Sequence, residues 1–435
     1  MKTISRRRFI DQTTQAGLAA SVLGSLSLTA GPALAAASEK NSRQKRIAIL
    51  ATEIRKYSHA QHFVDRFLEG YGWHGRHYRP QVELASLYVE QSPENDLTRD
   101  RVRRHRVKVF PTVAEALTLG RSKLAVDGVL IIAEHGLYPR NERGQTLYPR
   151  HRFFEETLRV FEASGRSVPV FNDKHLSTDW RECVGMVEAS KRLGFPFLAG
   201  SSLPVTWRIP SVEIPIGAPL SESVCICYGG LDSYDIHGLE TAQCMSERRA
   251  GGEAGVKSVQ AFRGRAVWNE LDRREQTKRL FFAALARSFT CKAPVFKTAG
   301  VPDLDWVRKN CPSPVAYFYE HLDGFRTTVV LANGLVGDFN YAGLRKDTGE
   351  IVSCQMYLPM PPAVSTQADF FNPLVNNIER MILENAAPYP VERAQLCSGM
   401  LIAALDSLYR GQVPRPTPEL RVAYTPPAAS TYWRA

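Results

Sequence analysis

The sequence predicts an α/β fold in which a doubly wound parallel sheet is followed by an α+β domain with an open, mainly antiparallel sheet. The 435-residue chain exceeds what one hydrophobic core usually holds. Short apolar runs alternate five times with helix-like stretches between residues 46 and 202. Beyond that point the predicted strands become longer and glycine turns separate them. The first pattern is typical of a Rossmann-like domain and the second of an antiparallel sheet.

The elements of the first half follow from their apolar patterns. RIAILATEI and VDGVLIIAEHG contain continuous apolar runs, as expected of parallel strands that are buried on both faces. Ser58 and Gln61 form a capping box, Gly70 is a helix stop, and Ser177 is the expected N-cap of a later helix. The predicted strands are 46–54, 80–89, 126–136, 167–172 and 195–202, and the predicted helices are 58–70, 112–124, 151–165 and 177–194.

The second half predicts longer strands, with LDGF (322–325) and ANGL (332–335) as hairpin-like turn signals. Two helices around a PYP break follow between residues 372 and 411. The predicted organisation is a signal peptide over 1–35, a flexible linker over 36–45, a Rossmann-like domain over 46–205, an α+β open-sheet domain over 206–413, and a proline-rich tail over 414–435 that lies along the surface.

The amino terminus has the features of an export signal. SRRRFI (5–10) carries twin arginines, an apolar segment rich in alanine follows, and ALA (33–35) is an A-x-A cleavage site. The Ser-Arg-Arg-x-Phe pattern indicates the Tat route. We therefore expect the Tat translocon as an export partner and a periplasmic or extracellular location. No other segment is long enough to cross a bilayer, so no stable membrane attachment is expected.

Net charge bears on the class of binding partner, and cysteine spacing bears on metal binding and disulfides. The net charge is +11, and the first 35 residues carry three of these charges, which leaves the mature chain near +8. The densest basic run, RVRRHRVKV (101–109), lacks interleaved aromatics and is interpreted as a solvated helix face, with a phosphate-facing patch as the alternative. A nucleic-acid partner is not predicted. The eight cysteines include no CxxC and are interpreted as buried thiols with a bridge or two.

Polar residues follow two of the predicted parallel strands. Asn172, Asp173, Lys174 and His175 come directly after Val-Pro-Val-Phe, and Glu134-His135 ends another apolar run. Doubly wound sheets bind ligands at the carboxyl ends of their strands. The sequence therefore predicts a site at this edge.

The order of these segments resembles the Gfo/Idh/MocA oxidoreductases, a large group of sugar and cyclitol dehydrogenases. VDGVLIIAEHG is similar to the family's D-x-V-x-I-x-T-P segment, and Asp173-Lys174-His175 stands where the family has Glu-Lys-Pro. YDIHGLE (234–240) resembles the family's D-x-G-x-H-x-x-D, with Ser233 in place of the first Asp. The resemblance covers most of the mature chain and implies the fold predicted above, with an oligomer as the implied assembly.

The resemblance implies Lys174 and His237 as catalytic residues. Oxidation of a sugar hydroxyl needs a base for the O–H proton, and a histidine can take that proton. A nearby ammonium would hold the oxygen and lower the pKa of the histidine by like-charge repulsion. The predicted substrate-binding residues lie in or next to the two matching segments and are Asp173, His175, Tyr234, Asp235 and Glu240.

The first loop departs from the family. Dinucleotide enzymes hold the pyrophosphate with G-x-G-x-x-G after the first strand, but ATEIRKYSHAQH (51–62) contains no glycine. The resemblance still implies NAD or NADP, which the free N–H groups of the helix end at Ser58 and the side chains of Arg55 and Lys56 could contact. Glu134 and His135, which replace the family's Pro-Asn turn, are the other cofactor-binding candidates.

Three functions stay open on the sequence alone: an exported sugar or cyclitol oxidoreductase, a non-redox carbohydrate lyase or hydrolase on the same scaffold, and a sugar-binding protein. The missing glycines favour the second and third, whereas the Lys174/His237 pair favours the first two. Metal is not predicted, because the histidines and carboxylates at the sheet edge, among them His59 and His62, match no ligand spacing.

Overall fold

The computed structural model describes residues 43–291, 302–363, 367–429 and 432. Residues 1–42, with the predicted signal peptide and most of the predicted linker, lie outside this part. Two sheets organise the rest of the chain, a parallel one and a mixed, mainly antiparallel one. The predicted fold class is therefore confirmed.

The first sheet has six parallel strands in the order β5-β4-β1-β6-β7-β8. Its central strands are buried apart from Arg46, because their continuous apolar runs face helices on both sides. The strands of this half are β1 (Arg46–Ala51), β2 (Tyr71–Trp73), β3 (Arg76–Tyr78), β4 (Glu83–Val89), β5 (Lys108–Phe110), β6 (Gly128–Ile132), β7 (Val170–Asp173) and β8 (Phe197–Gly200). β2 and β3 form a separate hairpin that the sequence did not predict.

The structure shows which of the predicted helix caps in the first half are present. Ser58 caps the first helix by accepting from the Gln61 amide, as predicted, and Gly70 ends it. The prediction of Ser177 as an N-cap was wrong, because Asp179 accepts from the amides of the first turn. The helices are α1 (His59–Glu69), α2 (Thr98–His105), α3 (Val113–Thr118), α4 (Arg150–Ser164) and α5 (Trp180–Leu193). The basic run 101–109 divides between α2 and edge strand β5, so the helix-face interpretation was right for its first part only.

The second sheet has eight strands in the order β16-β11-β12-β13-β10-β14-β15-β9. Its strands are β9 (Arg208–Ile209), β10 (Leu220–Cys227), β11 (Val256–Arg263), β12 (Val315–His321), β13 (Arg326–Leu331), β14 (Phe339–Arg345), β15 (Ile351–Met356) and β16 (Arg415–Pro416). LDGF joins a hairpin, as predicted. ANGL does not, because β10 lies between β13 and β14 and pairs in parallel with β13.

Helices cover both faces of the second sheet. The helices of this half are α6 (Asp235–Ser246), α7 (Arg265–Arg273), α8 (Glu275–Leu285), α9 (Leu304–Asn310), α10 (Asn372–Glu384) and α11 (Glu392–Tyr409). On one face, α6 and α11 share a core with side chains such as Tyr317 and Val329. On the other face, α7 and α8 cover Val224, Ile226 and Phe318. Neither face is left open to solvent along these strands.

The carboxyl-terminal segments tie the two sheets together. α10 returns to the first sheet and shares its core, while α11 packs against α5 and α6. The tail is not confined to the surface, since β16 pairs with β11, and Leu420 and Val422 are buried. Seven cysteines are buried free thiols. Within the described ranges, no helix has the length and apolarity needed to cross a membrane.

Candidate functional site

A cavity of about 460 Å³ lies where the carboxyl ends of the first sheet meet the second sheet. Its wall comes from the loops after β6 and β7, the start of α1, the segment before α6 and the chain around Phe371. The volume lies within the usual range of small-molecule sites, about 300–1,000 Å³. Five of the predicted site residues line it, namely Glu134, His135, Lys174, Tyr234 and His237.

Lys174 is buried at the cavity wall and is not a surface lysine. Its Nζ donates to Glu134 Oε1 at 2.7 Å and to the Ser233 carbonyl at 3.1 Å. An ammonium has three donors, so one N–H remains for a ligand oxygen. Its backbone donates to the Gly200 carbonyl at 3.1 Å, which fixes the residue at the end of the sheet.

Glu134 lies between two buried cations. Its second carboxylate oxygen accepts from Arg150 at 2.5 Å. Burial alone would raise the pKa of Glu134, but Lys174 and Arg150 hold it well below its usual range. Burial likewise opposes the charge on Lys174, and Glu134 overcomes it and raises the pKa of Lys174. Glu134 and Lys174 are therefore both charged at neutral pH.

His237 reaches the cavity from the first turn of α6. Its ring makes edge contacts with Tyr234 and Phe339, each at 5.9 Å between centroids. Burial, followed by the charge of Lys174, lowers the pKa of His237 well below its usual value, so the imidazole is neutral. The direction agrees with the predicted like-charge effect, although burial is the larger cause.

Four residues that line the cavity adopt left-handed backbone conformations. They are Tyr57 (φ 65°), His135 (φ 72°), Lys174 (φ 63°) and Asp232 (φ 64°). Such conformations cost about 1–3 kcal/mol each in residues other than glycine and persist where the surroundings determine them. The fold thus holds these side chains in place at the expense of local backbone strain.

The structure also brings to the cavity a residue that the sequence analysis considered only as a metal ligand and did not include among the predicted site residues. His59, the first residue of α1, lines the cavity, and its Nδ1 lies 2.7 Å from Asp173 Oδ2. Asp173 was predicted to bind substrate, but it is buried behind His59 and does not line the cavity. The only indication of this pair in the sequence was position: a histidine near the first predicted strand and a carboxylate after a later one.

Three other predicted substrate residues lie behind the cavity wall. His175 is buried with its Nε2 3.2 Å from Arg150, and burial and this cation lower its pKa well below the usual value. Asp235 accepts from Tyr317 at 2.8 Å, and burial raises its pKa to about 7. Glu240 accepts from the Ser201 amide at 3.0 Å. None of the three lines the cavity.

Glu240 should make stability depend on pH. Burial raises its pKa to about 7 from 4.5, so the native chain holds this proton more tightly than the unfolded chain. The resulting stabilisation is present in acid and is lost as pH rises through 7, with a full size of roughly 3 kcal/mol. We expect Glu240→Gln, which keeps an acceptor for Ser201, to show a smaller fall in unfolding free energy between pH 5 and pH 8. Urea unfolding at both pH values measures this change, with Glu162→Gln at an exposed position as the control. If the unfolding free energy of Glu240→Gln falls as much as that of the wild type and of the control, the prediction is contradicted.

Gly200 allows Glu240 to approach. Its φ of +123° is unfavourable for other residues, and a Cβ there would collide with Glu240 Oε1. The glycine therefore links α6 to the end of β8, next to the backbone of Lys174.

The first loop is closed by the chain itself. Ile54 is fully buried where glycine-loop enzymes need open backbone. Its carbonyl accepts from the Leu97 amide at 2.7 Å, and Arg55 forms a β-bridge with Asp96. The segment after β4 thus lies across the loop after β1, and a pyrophosphate held by the usual glycine-loop geometry does not fit there.

The predicted cofactor residues of this loop point elsewhere. Arg55 donates to Glu53 at 2.5 Å, and Lys56 is exposed with its ammonium over the Tyr57 ring. Ser58 is buried and caps α1. None of Arg55, Lys56 and Ser58 lines the cavity.

The segment 136–149 closes another side of the cavity. Leu137 exchanges two hydrogen bonds with the Gln91 side chain after β4, at 2.9 and 3.2 Å. Thr146 donates its amide to Asp232 before α6 at 2.8 Å. The segment therefore connects the edge of the first sheet to the second domain.

Across the described residues, no group of three or more histidines, cysteines or carboxylates has the arrangement of a metal site.

Comparison with known proteins shows similarity at the level of fold. No protein-family model matches the chain, and no curated protein matches it by sequence. Myo-inositol dehydrogenase from Lactobacillus casei, solved with NAD(H) and myo-inositol, aligns over 88% of this chain and 98% of its own, with 12% identity and a TM-score of 0.52. GenD2 from gentamicin A biosynthesis, solved with NAD, aligns over 86% and 96%, with 13% identity and a TM-score of 0.53.

A third similar structure is myo-inositol 2-dehydrogenase from Lactobacillus plantarum, which aligns over 86% of this chain and 99% of its own, with 10% identity and a TM-score of 0.51. Together these alignments span both sheets. The two-domain fold expected from the Gfo/Idh/MocA resemblance is therefore confirmed: this chain has the fold of the cyclitol dehydrogenases, in a divergent form.

Proposed function

We propose that this protein is an oxidoreductase that acts on a hydroxyl group of a sugar or cyclitol. The observation that carries the proposal is the buried Lys174 ammonium, which keeps one donor for the cavity beside the neutral imidazole of His237. The fold of structures described as inositol dehydrogenases supports the same class of reaction.

The proton chemistry follows from the charges around the cavity. A substrate hydroxyl that accepts from Lys174 has its oxygen beside a fixed positive charge, which favours loss of the O–H proton. An imidazole that lines the cavity can take that proton. Glu134 and Arg150 hold the ammonium in place, so little reorganisation is needed during the reaction.

Oxidation of the carbon also needs a hydride acceptor, and the class that we propose is NAD or NADP, because two of the similar structures hold NAD or NAD(H). The residues of the first loop do not fit a pyrophosphate in the glycine-loop geometry, since Ile54 and the segment after β4 fill that path. Residue roles are therefore proposed for the proton steps and not for binding of the dinucleotide.

The closed loop favours a second candidate, a non-redox lyase or hydrolase that acts on a carbohydrate. Such an enzyme would use the same cation and imidazole for acid–base chemistry and would need no dinucleotide. Export by the Tat route is part of either proposal, and what supports it is the twin-arginine segment with its A-x-A site.

The experiment that tests the proposal uses natively purified protein. Denaturation followed by mass spectrometry detects a co-purified dinucleotide, and titration calorimetry then measures binding of NAD, NADP, myo-inositol and scyllo-inositol. The redox proposal expects a dinucleotide in about equal molar amount, or binding at millimolar concentration, together with turnover of a polyol. Polyol turnover or binding without any dinucleotide would overturn it in favour of the second candidate.

A further inference from the structure

The His59–Asp173 pair has the arrangement of an acid–base dyad. Asp173 ends β7 and is buried, and its Oδ2 lies 2.7 Å from His59 Nδ1. A carboxylate only accepts, so Nδ1 carries the proton and donates it. In the tautomer that this contact selects, the ring's lone pair is on Nε2, for which the described part of the chain offers no hydrogen-bond partner.

Among the described residues, the Asp173 carboxylate forms its hydrogen bond with His59 alone. Its other oxygen, Oδ1, is buried and has no hydrogen-bond partner among the described residues. The adjacent lysine does not neutralise it through a hydrogen bond, because Lys174 donates to Glu134. A buried carboxylate with a single hydrogen bond is costly, so its retention needs a reason beyond packing. Orientation of the His59 ring supplies one.

His59 is also held from other directions. Its ring makes an edge contact with Phe371 at 5.2 Å and lies 5.6 Å from the ring of His135. It is roughly parallel to the ring of His237, 6.5 Å away. His59 thus occupies the first turn of α1, the place at which glycine-loop enzymes bind a phosphate.

His237 lacks such a partner. Its Nδ1 is buried without a hydrogen bond in the described ranges. The residue four positions earlier is Ser233, whose hydroxyl donates to the Gly230 carbonyl at 3.2 Å. No carboxylate therefore fixes its tautomer, which distinguishes His237 from His59.

We propose that His59, oriented by Asp173, is the general base of this cavity in place of His237, the base that the sequence resemblance implied. In the forward step the substrate O–H bond breaks, the proton goes to Nε2, the electron pair stays on the oxygen beside Lys174, and Asp173 stabilises the imidazolium. Asp173 acts through His59 and is a positioning residue. The inference rests on the proposed function for its substrate.

The catalytic test compares His59→Gln, Asp173→Asn and His237→Gln, with His151→Gln outside the cavity as the matched control. With the polyol that the binding screen identifies, we expect His59→Gln to lower kcat by at least about 10²-fold while the Kd changes by less than about threefold. Asp173→Asn should also lower kcat with little change in Kd, because the tautomer is no longer fixed. Wild-type kcat in His59→Gln would overturn the proposal.

A second measurement does not depend on turnover. Diethyl pyrocarbonate acylates unprotonated, accessible imidazole nitrogens, and peptide mass mapping reports each histidine separately. We expect His59 to be modified faster than His237 in the wild type, and more slowly in Asp173→Asn than in the wild type. Equal rates in Asp173→Asn and wild type, or an unreactive His59, would overturn the dyad. If polyol turnover is absent but this pattern appears, the proposed substrate class fails and the dyad stands.

Discussion

Replacement of Glu134 by alanine is expected to lower the free energy of unfolding at pH 7 by about 3–5 kcal/mol. The change leaves Lys174 and Arg150 buried without the carboxylate that they share. Uncompensated buried charges are far more costly than lost surface pairs. Urea unfolding measures the difference.

The matched control is Glu162→Ala. Glu162 pairs with Arg192 at 3.0 Å, but both side chains are about half exposed, so the expected change is within about 1 kcal/mol. Because the pKa of Glu134 lies well below 4.5, its stabilisation is present above that pH and is lost only in stronger acid. A loss for Glu134→Ala no larger than that of the control would show that other groups compensate both cations.

Replacement of Lys174 by methionine is expected to lower kcat for a polyol by about 10²–10³-fold, the range found when one charge-stabilising donor is removed. Methionine keeps much of the buried volume but cannot donate to the substrate oxygen. Glu134 retains Arg150, so the loss of stability should be smaller than for Glu134→Ala. Steady-state kinetics with the thermal midpoint recorded in parallel measures both effects.

Lys123→Met is the control for this change, since Lys123 is exposed and does not line the cavity. Its kcat should equal that of the wild type. A Lys174→Met variant with wild-type kcat would remove the ammonium from the proton chemistry, whatever the cofactor proves to be.

Which edge of the sheet carries the site could be predicted from the sequence. Parallel strands end at a common edge, so the apolar runs before Glu134 and Lys174 were enough to place both residues there. The resemblance added His237, which comes from the second domain and reaches the same cavity.

Which side chains face the cavity could not be predicted. His59 and Asp173 are 114 residues apart, and no periodicity relates the first residue of a helix to the last residue of another strand. Asp173 and Lys174 are neighbours in sequence, yet one is behind the wall and the other on it, because Lys174 turns into the left-handed region. Strain of this kind leaves no signal in an apolar pattern.

Two predictions from local sequence patterns were wrong in whole or in part because pairing with distant strands determined the structure. The run 101–109 is rich in basic residues, but β4 offers an unpaired edge, and Lys108, Val109 and Phe110 pair with it. ANGL has the residues of a tight hairpin, whereas β10 from far earlier in the chain takes the place between β13 and β14.

The helices over the second sheet have a consequence for association. A sheet face that its own chain leaves bare gains its hydrophobic free energy only when another subunit arrives, and that gain depends on protein concentration. Here α7 and α8 bury Val224, Ile226 and Phe318 within one chain. This part of the stability is therefore independent of dilution, and a homo-oligomer, which stays a prediction, would have to assemble through a different surface.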